Sequence, residues 1–338
     1  MTLKTKQLGV SLIEVMIAMT LGLFLIGGVF TLFMGSRATH VTQTSVANVQ
    51  ESLRFGFEYL AYDLRMAGYM GCANIRDMAP QVVANPPVPS VGLGGSIKGY
   101  NGGAGWTNPT AITLVAGTDV ISLSRASLAS IHISENSNGS NFKIDTGTTL
   151  NGFSVNQILI VTDCRRSDIF RATTVSATSG SATITHASNL NTQPGGSSCP
   201  AGSGKIVTEC SSMGNYKSDA QVASLESLTF FIGINPNGNP ALYRVGTSTE
   251  ELVEGIFDMQ IEYGLDTIDD TLFVADSYSA TPGNWSQVVS VRLTLQARSA
   301  ENNALPTTTS YTYNGASVTD SRLKRASTTV IGLRNLVQ

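Results

Sequence analysis

The segment that decides the fold is Gly9-Val10-Ser11-Leu12-Ile13-Glu14-Val15, which opens an apolar run that continues to Met34. This run, 10–34, contains 25 residues, and Glu14 is its only charged side chain. At about 1.5 Å of rise per residue, a helix over the run is roughly 38 Å long, which is enough to cross a bilayer. A carboxylate inside such a helix costs on the order of 2.5–3.5 kcal/mol at the membrane centre. Glu14 therefore predicts a functional role and needs a partner.

The residues before Gly9 are few and basic, with Lys4 and Lys6 and no acid. In an ordinary secretory signal the apolar part precedes the cleavage site, so cleavage removes it. Here the apolar part follows Gly9, and a cut after Gly9 keeps it. Because positive flanking charge stays in the cytoplasm, we expect a cytoplasmic N-terminus and translocation of the rest of the chain.

These features resemble the type III signal of type IV prepilins. The resemblance implies that an inner-membrane prepilin peptidase cuts between Gly9 and Val10 and methylates the new N-terminus. Val10 departs from the pattern, in which the first mature residue is usually Phe. The resemblance also implies that Glu14, the fifth mature residue, meets the N-terminal amine of a neighbouring subunit during assembly, so the buried charge gains its partner on docking. The alternative is a signal-anchor helix with a tolerated Glu.

Composition restricts the classes of function. The chain has 338 residues, 13% of them charged, and a net charge of −3. That length accommodates one large or two small domains beyond the N-terminal helix. Since there is no basic excess, we expect no nucleic-acid partner.

The even number of cysteines in an exported chain favours disulfides, although free buried thiols are the alternative. The candidates are Cys72, Cys164, Cys199 and Cys210. The loop between Cys199 and Cys210 is short and flanked by Gly, Ser and Pro, so a local bridge is easiest there. That bridge leaves Cys72 to pair with Cys164.

Beyond Met34, apolar residues recur at spacings of three and four and predict that the helix continues to about Met70. Gln50, Arg54 and Glu58 are expected on the opposite face. The apolar stripe comprises Val46, Val49, Leu53, Phe57, Leu60, Leu64 and Ala67.

The helix end carries a second resemblance, in Asp63-Leu64-Arg65-Met66-Ala67-Gly68-Tyr69 followed by Cys72. This motif resembles the minor pilin PilW family. Three later segments, 252–264, 285–293 and 326–335, resemble both that family and the J-type pseudopilins of type II secretion. From the residues alone, Asp63 and Arg65 are expected to be solvated or capping charges, and Cys72 could staple the helix exit to the sheet.

The rest of the chain predicts a β-rich head. Residues 79–118 are rich in Pro, Gly and Asn and predict a long surface loop, in which Trp106 is either an exposed contact or a pin to the head. Short β-rich runs follow at 120–123, 158–161 and 182–185. Segments 257–263 and 289–298 alternate apolar and polar residues, as half-buried antiparallel strands do. We therefore predict an α+β, pilin-like fold in which the second half of the helix packs on the head.

The sequence contains no recognisable catalytic or metal-binding motif. His40, His132 and His186 have no metal-ligand spacing, so core or surface roles are favoured. The run 202–205 fails as a phosphate loop, and no Gly-x-Ser-x-Gly elbow exists. The acidic cluster Asp266, Asp269, Asp270 and Asp276 favours a solvated loop over a weak calcium site, because the central Gly and terminal Glu of an EF-hand are missing. We expect no enzymatic activity and no cofactor.

The predicted organisation is a leader at 1–9, a transmembrane or filament-core helix at 10–34, an amphipathic helix at 35–72, a loop at 73–118 and a head at 119–338. The resemblance implies a minor pilin of the type IV pilus in a complex that primes pilus growth and lies at or near its tip, supporting adhesion and twitching motility. Its implied partners are other minor pilins, the major pilin, a tip adhesin and the prepilin peptidase. We expect a single-pass inner-membrane protein with a periplasmic head that moves to the cell surface in the pilus. The alternatives are a J-type pseudopilin and, from another class, a membrane-anchored periplasmic enzyme.

Overall fold

The computed structural model describes residues 9–72, 80–84, 95–135, 141–147, 152–178, 180–187, 190–191, 216–268 and 273–336. One long helix, α1 (Leu12–Arg65), is followed by a β-rich region, which confirms the predicted α+β, pilin-like fold. The strands are β1 (Gln81–Val82), β2 (Ile97–Tyr100), β3 (Val120–Ala126), β4 (Ile131–His132), β5 (Asn141–Gly147), β6 (Ile158–Thr162), β7 (Ser167–Arg171), β8 (Thr174–Thr178), β9 (Gly180–Thr185), β10 (Gln221–Ile234), β11 (Pro240–Val245), β12 (Thr249–Glu254), β13 (Ile256–Leu265), β14 (Ser277–Ser279), β15 (Val288–Arg298), β16 (Thr309–Tyr313), β17 (Ala316–Asp320) and β18 (Lys324–Gly332). Three short 3₁₀ helices are η1 (Asn101–Gly103), η2 (Trp285–Gln287) and η3 (Arg334–Leu336).

Helix α1 has 54 residues and is therefore roughly 81 Å long. Ser11 caps its start, because the Ser11 hydroxyl accepts a hydrogen bond from the Glu14 N–H at 3.3 Å. The helix ends at Arg65 and not near Met70 as expected. The chain turns there because Gly68 adopts a left-handed φ of 78° and its N–H donates to the Ser124 carbonyl on β3.

The second half of α1 packs on a four-stranded sheet in the order β14-β13-β15-β18. Its buried side is the predicted stripe with small differences, since Phe57 and Val46 are only half-buried. On β13 and β15 the predicted alternation is confirmed from Met259 onward: Met259, Ile261 and Tyr263 are buried, as are Val289, Val291, Leu293, Leu295 and Ala297. Phe257 is also buried, but a register shift between Ile256 and Asp258 breaks the alternation there, and Phe257 lies beside Asp258 and Gln260. Gly56 allows α1 to lie close to β13 and β15, because a Cβ there would lie 2.5 Å from the Ile256 Cδ1 and 3.1 Å from the Leu295 Cδ1.

A second, larger sheet is built around the long strand β10. Its main path is β1-β7-β6-β10-β11-β12, and β2, β3 and β4 join it at its side. The segments predicted as strands at 120–123 and 158–161 are β3 and β6 of this sheet. Asp119 joins the two sheets, because its carboxylate accepts hydrogen bonds from the Gly102 and Ile261 N–H groups. Burial raises the pKa of Asp119, and the hydrogen bonds from the Gly102 and Ile261 N–H groups partly offset this rise.

The stretch 73–118, predicted as one surface loop, contributes two strands. β1 pairs with β7, and β2 pairs with β3 along its whole length. Ile97 is buried. Its burial was not predicted, because the surrounding Pro and Gly residues are typical of a surface loop. Trp106 is half-buried, and its ring centroid lies 5.1 Å from that of Phe231, so it pins the loop to the head.

Two smaller sheets also lie in the described part of the head. The hairpin β16–β17 turns at Asn314 and Gly315, both with positive φ, which suits a two-residue hairpin loop. The sheet β5-β9-β8 covers a separate apolar cluster that contains Phe142, Phe170 and Tyr216. The predicted strand at 182–185 lies in β9.

Candidate assembly site on the helix and its junction with the head

The first half of α1 presents apolar side chains to its surroundings. Val10, Leu12 and Phe24 are 69%, 80% and 78% exposed. Among the described residues, every large apolar side chain that is more than 60% exposed, Val274 excepted, belongs to this half. By length and composition this helix can cross a membrane, and none of its most apolar window is buried inside the head. An exposed apolar surface of this extent is stable only in a lipid environment or against other helices.

Glu14 lies in the first turn of α1 and is exposed. A carboxylate in that turn interacts favourably with the positive end of the helix dipole. Among the described residues, no lysine, arginine or histidine lies within 4.0 Å of its carboxylate. Because Glu14 is exposed, a partner can reach its carboxylate. Gly9 and Val10 precede the helix and are exposed, so the predicted cleavage position is accessible.

The junction between helix and head contains a buried ion-pair network that the sequence did not reveal. The Asp63 side chain is only 1% exposed, contrary to the expectation of a solvated or capping charge. Its Oδ1 lies 2.9 Å from the Arg125 Nη1, and its Oδ2 lies 3.3 Å from the Arg244 Nη1. Arg125 belongs to β3 and Arg244 to β11, so one carboxylate on the helix holds two strands of the large sheet.

Each arginine of this network also meets a glutamate. Arg125 Nε lies 3.0 Å from the Glu226 carboxylate, and Arg244 Nη2 lies 2.6 Å from the Glu250 carboxylate. Burial by itself would lower the pKa of Arg244, but the hydrogen bond to Glu250 and the charge of Asp63 raise it. The same hydrogen bond lowers the pKa of Glu250. The buried carboxylate is thus compensated from two sides, as a buried charge requires.

The helical spacing of the sequence could have predicted that Asp63 is buried. It lies three residues after Leu60 and four before Ala67, both fully buried, and so on the apolar face of the helix. Arg65 lies outside that face and is exposed, as expected. A charged residue within the stripe needs partners, and the arginines that supply them are remote in sequence, which is why spacing alone did not identify them.

The end of the chain closes over the end of the helix. The Asn335 side-chain amide donates to the Arg65 carbonyl at 3.2 Å and to the Ala67 carbonyl at 3.4 Å. These carbonyls lack partners within the helix, so Asn335 acts as a C-terminal cap. The helix-end motif and the 326–335 segment, both of which resemble PilW, therefore meet in one place.

A disulfide joins Cys72 to Cys164 with a Cα–Cα distance of 5.0 Å, one of the predicted pairings. Cys164 lies in the turn between β6 and β7 with a positive φ of 65°. The Asp163 carboxylate shapes this turn by accepting hydrogen bonds from the Arg165 and Arg166 N–H groups. The bond staples the helix exit to the large sheet. Cys199 and Cys210 lie outside the described residues.

The remaining titratable candidates lie apart from one another. The Asp276 carboxylate accepts hydrogen bonds from the Thr267 and Ile268 N–H groups, which lower its pKa and close the loop. Asp269 and Asp270 lie outside the described residues. Within the described part of the chain, no three His, Cys, Asp or Glu side chains are grouped so that they could hold a metal ion.

The histidines occupy core and surface positions. His186 is buried between Phe142 and Phe170, with ring centroids 5.0 and 5.7 Å away, and burial lowers its pKa. His132 contacts the Gln221 amide, and His40 is exposed on α1.

Two segments of the chain match models of known protein families. Residues 229–335 match the family described as type IV pilus-assembly protein W, PilW. Residues 4–30 match the prokaryotic N-terminal methylation motif. The first match begins within β10 and runs through β18 to Asn335, and the second covers the predicted cleavage position and Glu14. No curated protein and no solved structure matches the chain.

Proposed function

We propose that this chain, which matches the PilW family model over residues 229–335 and the N-terminal methylation motif over residues 4–30, is a minor pilin of the type IV pilus. It joins other minor pilins in a complex that primes pilus assembly and lies at or near the pilus tip. In this position it supports adhesion and twitching motility, alongside the major pilin and a tip adhesin. The observation that carries the proposal is the exposed apolar half of α1, with the single carboxylate Glu14 at its start.

The apolar half supplies the assembly surface. In the inner membrane it holds the subunit as a single-pass protein with its head in the periplasm, and in the pilus it packs against neighbouring helices. Glu14 is costly in lipid and gains a partner when the amine of Val10 on a neighbouring subunit approaches it. This pairing favours the subunit docked on a neighbouring subunit over the single subunit in the membrane.

Processing precedes this step. The prepilin peptidase cuts between Gly9 and Val10 and methylates the new N-terminus. The amine that Glu14 requires is created by that cut, so assembly depends on processing. Gly9 and Val10 support the proposal because they are exposed and lie outside the helix.

The head presents the surfaces that face neighbouring subunits. It is attached to the helix through Asp63, the Cys72–Cys164 disulfide and Asn335, on three different segments of the head. Such an attachment lets a force on the helix reach the sheet without bending the junction. A subunit in a pilus that grows and retracts must transmit such forces without unfolding at the junction.

Deletion of the gene tests the proposal against the pseudopilin alternative. We expect loss of surface pili in electron micrographs and loss of twitching, with type II secretion of a reporter exoprotein unchanged. Complementation with the wild-type gene and with Glu58→Gln, an exposed carboxylate in the second half of α1, restores both. Lost secretion with normal piliation would instead identify a J-type pseudopilin.

A further inference from the structure

The hairpin β16–β17 forms one side of a cavity whose other sides are the 115–118 turn and the strands β13 and β15. The Asn314 side-chain oxygen accepts a hydrogen bond of 2.8 Å from the Ala116 N–H, which ties the hairpin tip to that turn. The cavity has a volume of about 380 Å³. This volume is at the lower end of the roughly 300–1,000 Å³ of ligand pockets. Four chain segments distant in sequence thus line a half-open space of ligand size.

Aromatic rings line one side of this cavity. Phe257 lies at an irregularity in the β13–β15 ladder, between Ile256 and Asp258, and its ring meets that of Tyr311 at 5.4 Å. Bulges commonly redirect a side chain in this way beside a site. The Arg298 guanidinium lies 4.1 Å from the Tyr313 ring and donates to the Tyr311 hydroxyl at 2.8 Å. These contacts hold the rings in place before any ligand arrives.

The floor carries a carboxylate held by two amides. Asp258 accepts hydrogen bonds from the Gln296 amide at 2.7 Å and the Gln260 amide at 2.8 Å, and Gln260 also donates to the Gly117 carbonyl. The side-chain oxygens of Gln260 and Gln296 have no hydrogen-bond partner within the described part of the protein, and neither has the Asn314 amide nitrogen. The cavity therefore offers acceptors and donors side by side, on planar groups of fixed orientation.

This chemistry selects among ligands. Among the described residues that line the cavity, Asp258 is the only one with a charged side chain, so an anion is repelled. Two amide donors already hydrogen-bond to its carboxylate oxygens, and Arg298 behind Tyr313 places a positive charge nearby, so a cation gains little. A ligand whose groups both donate and accept matches the remaining atoms, and an apolar ring face suits the aromatic side.

We propose that this cavity binds a neutral sugar, one or two pyranose rings of a cell-surface or extracellular polysaccharide. Hydroxyl groups pair with Gln260, Gln296 and Asn314, and the C–H face of the ring packs towards Tyr313. The proposal goes beyond the assembly role, since it gives the head a ligand of its own. It also stands apart from that role experimentally, because binding by the purified protein requires no pilus.

Saturation-transfer NMR on the full chain tests the proposal. The protein is purified in a detergent without a sugar headgroup, because maltosides would compete. The probes are methyl β-D-glucopyranoside, methyl α-D-mannopyranoside, the N-acetylglucosamine dimer and the muramic acid-containing disaccharide of the cell wall. We expect transfer to the ring protons of at least one neutral probe and weaker transfer to the muramyl probe, whose carboxylate meets Asp258. Preference for the muramyl probe, or no transfer to any probe, would overturn the proposal.

Variants locate the site. Gln296→Ala and Asp258→Asn should weaken binding at least tenfold, with the melting temperature as a check on folding. Glu262→Gln is the matched control, since Glu262 lies on the same face of β13, is exposed, pairs with Arg292 and does not line the cavity. Equal binding by all variants would place the sugar elsewhere and contradict the proposal. Binding of Nα-acetyl-lysine methyl ester, whose free ε-ammonium group is a cation, in preference to the sugars would show a cation site and contradict the proposal.

Discussion

At the scale of the residue, Asp63 is the charge whose loss should matter most to the head. Removing one partner of a buried ion pair costs about 3–5 kcal/mol, because the other charge is left uncompensated. Arg125 and Arg244 each retain a glutamate, so we expect Asp63→Ala to lower the free energy of unfolding by about 3 kcal/mol, at the low end of that range. Urea unfolding of the full chain in detergent measures it. The exposed Glu58→Gln should change it by less than about 0.5 kcal/mol, and an equally small effect at Asp63 would contradict the network's role.

His186 makes stability depend on pH. Burial lowers its pKa below the ordinary 6.5, so the folded state binds its proton less readily than the unfolded chain. The stabilisation is complete above about pH 6.5 and is lost as the pH falls through the lower pKa of the folded state. We expect the melting temperature to drop over that range and the drop to be smaller in His186→Phe. His132→Phe is the control, because His132 is exposed; an identical slope in wild type and His186→Phe would contradict the assignment.

At the scale of the element, the disulfide fixes the exit of α1. It closes a loop of 92 residues, and losing a native disulfide typically costs about 2–5 kcal/mol. We expect the double variant Cys72→Ser, Cys164→Ser to lose stability in that range. Cys199→Ser, Cys210→Ser should lose less, because the loop that this predicted pair closes is much shorter.

Peptide mapping without reduction checks the pairing itself. A linked peptide containing Cys72 and Cys164 is expected, and a second containing Cys199 and Cys210. A crossed pairing would contradict the geometry of the helix exit.

Elements with a strong local period were predictable, and those that depend on remote partners were not. The stripe of α1 and the alternation of β13 and β15 follow from burial of one face, which the order of residues records directly. β2 was not predicted because its four residues, between Gly-rich turns, are too few to show the alternation of a strand. Their extended conformation is fixed by pairing with β3. Trp106 could be placed only once Phe231, far along the chain, was positioned beside it.

The same limit applies to the candidate site. Gly9, Val10 and Glu14 were visible because a prepilin signal is contiguous, whereas Asp63, Arg125 and Arg244 form a site only after the sheet brings them together. The cavity proposed to bind a sugar likewise draws on four segments between Val115 and Gly315. Local signals therefore carry the predictions of processing and anchoring, whereas the contacts that hold the head to the helix became visible only in the fold.

At the scale of the whole molecule, processing and assembly should be separable by single substitutions. Gly9→Val places a bulky side chain at the cut, and we expect the uncut precursor to accumulate in the membrane. Glu14→Ala leaves the cleavage position intact, so the chain should be cut normally, yet it loses the charge that attracts a neighbour's amine and should be nearly absent from sheared pili. Immunoblots of membrane and pilus fractions measure both, with Glu51→Ala, an exposed carboxylate beyond the apolar run, as the control. If Gly9→Val migrated at the mature size, cleavage would occur elsewhere, and if Glu14→Ala entered pili at the wild-type level, apolar packing alone would drive assembly.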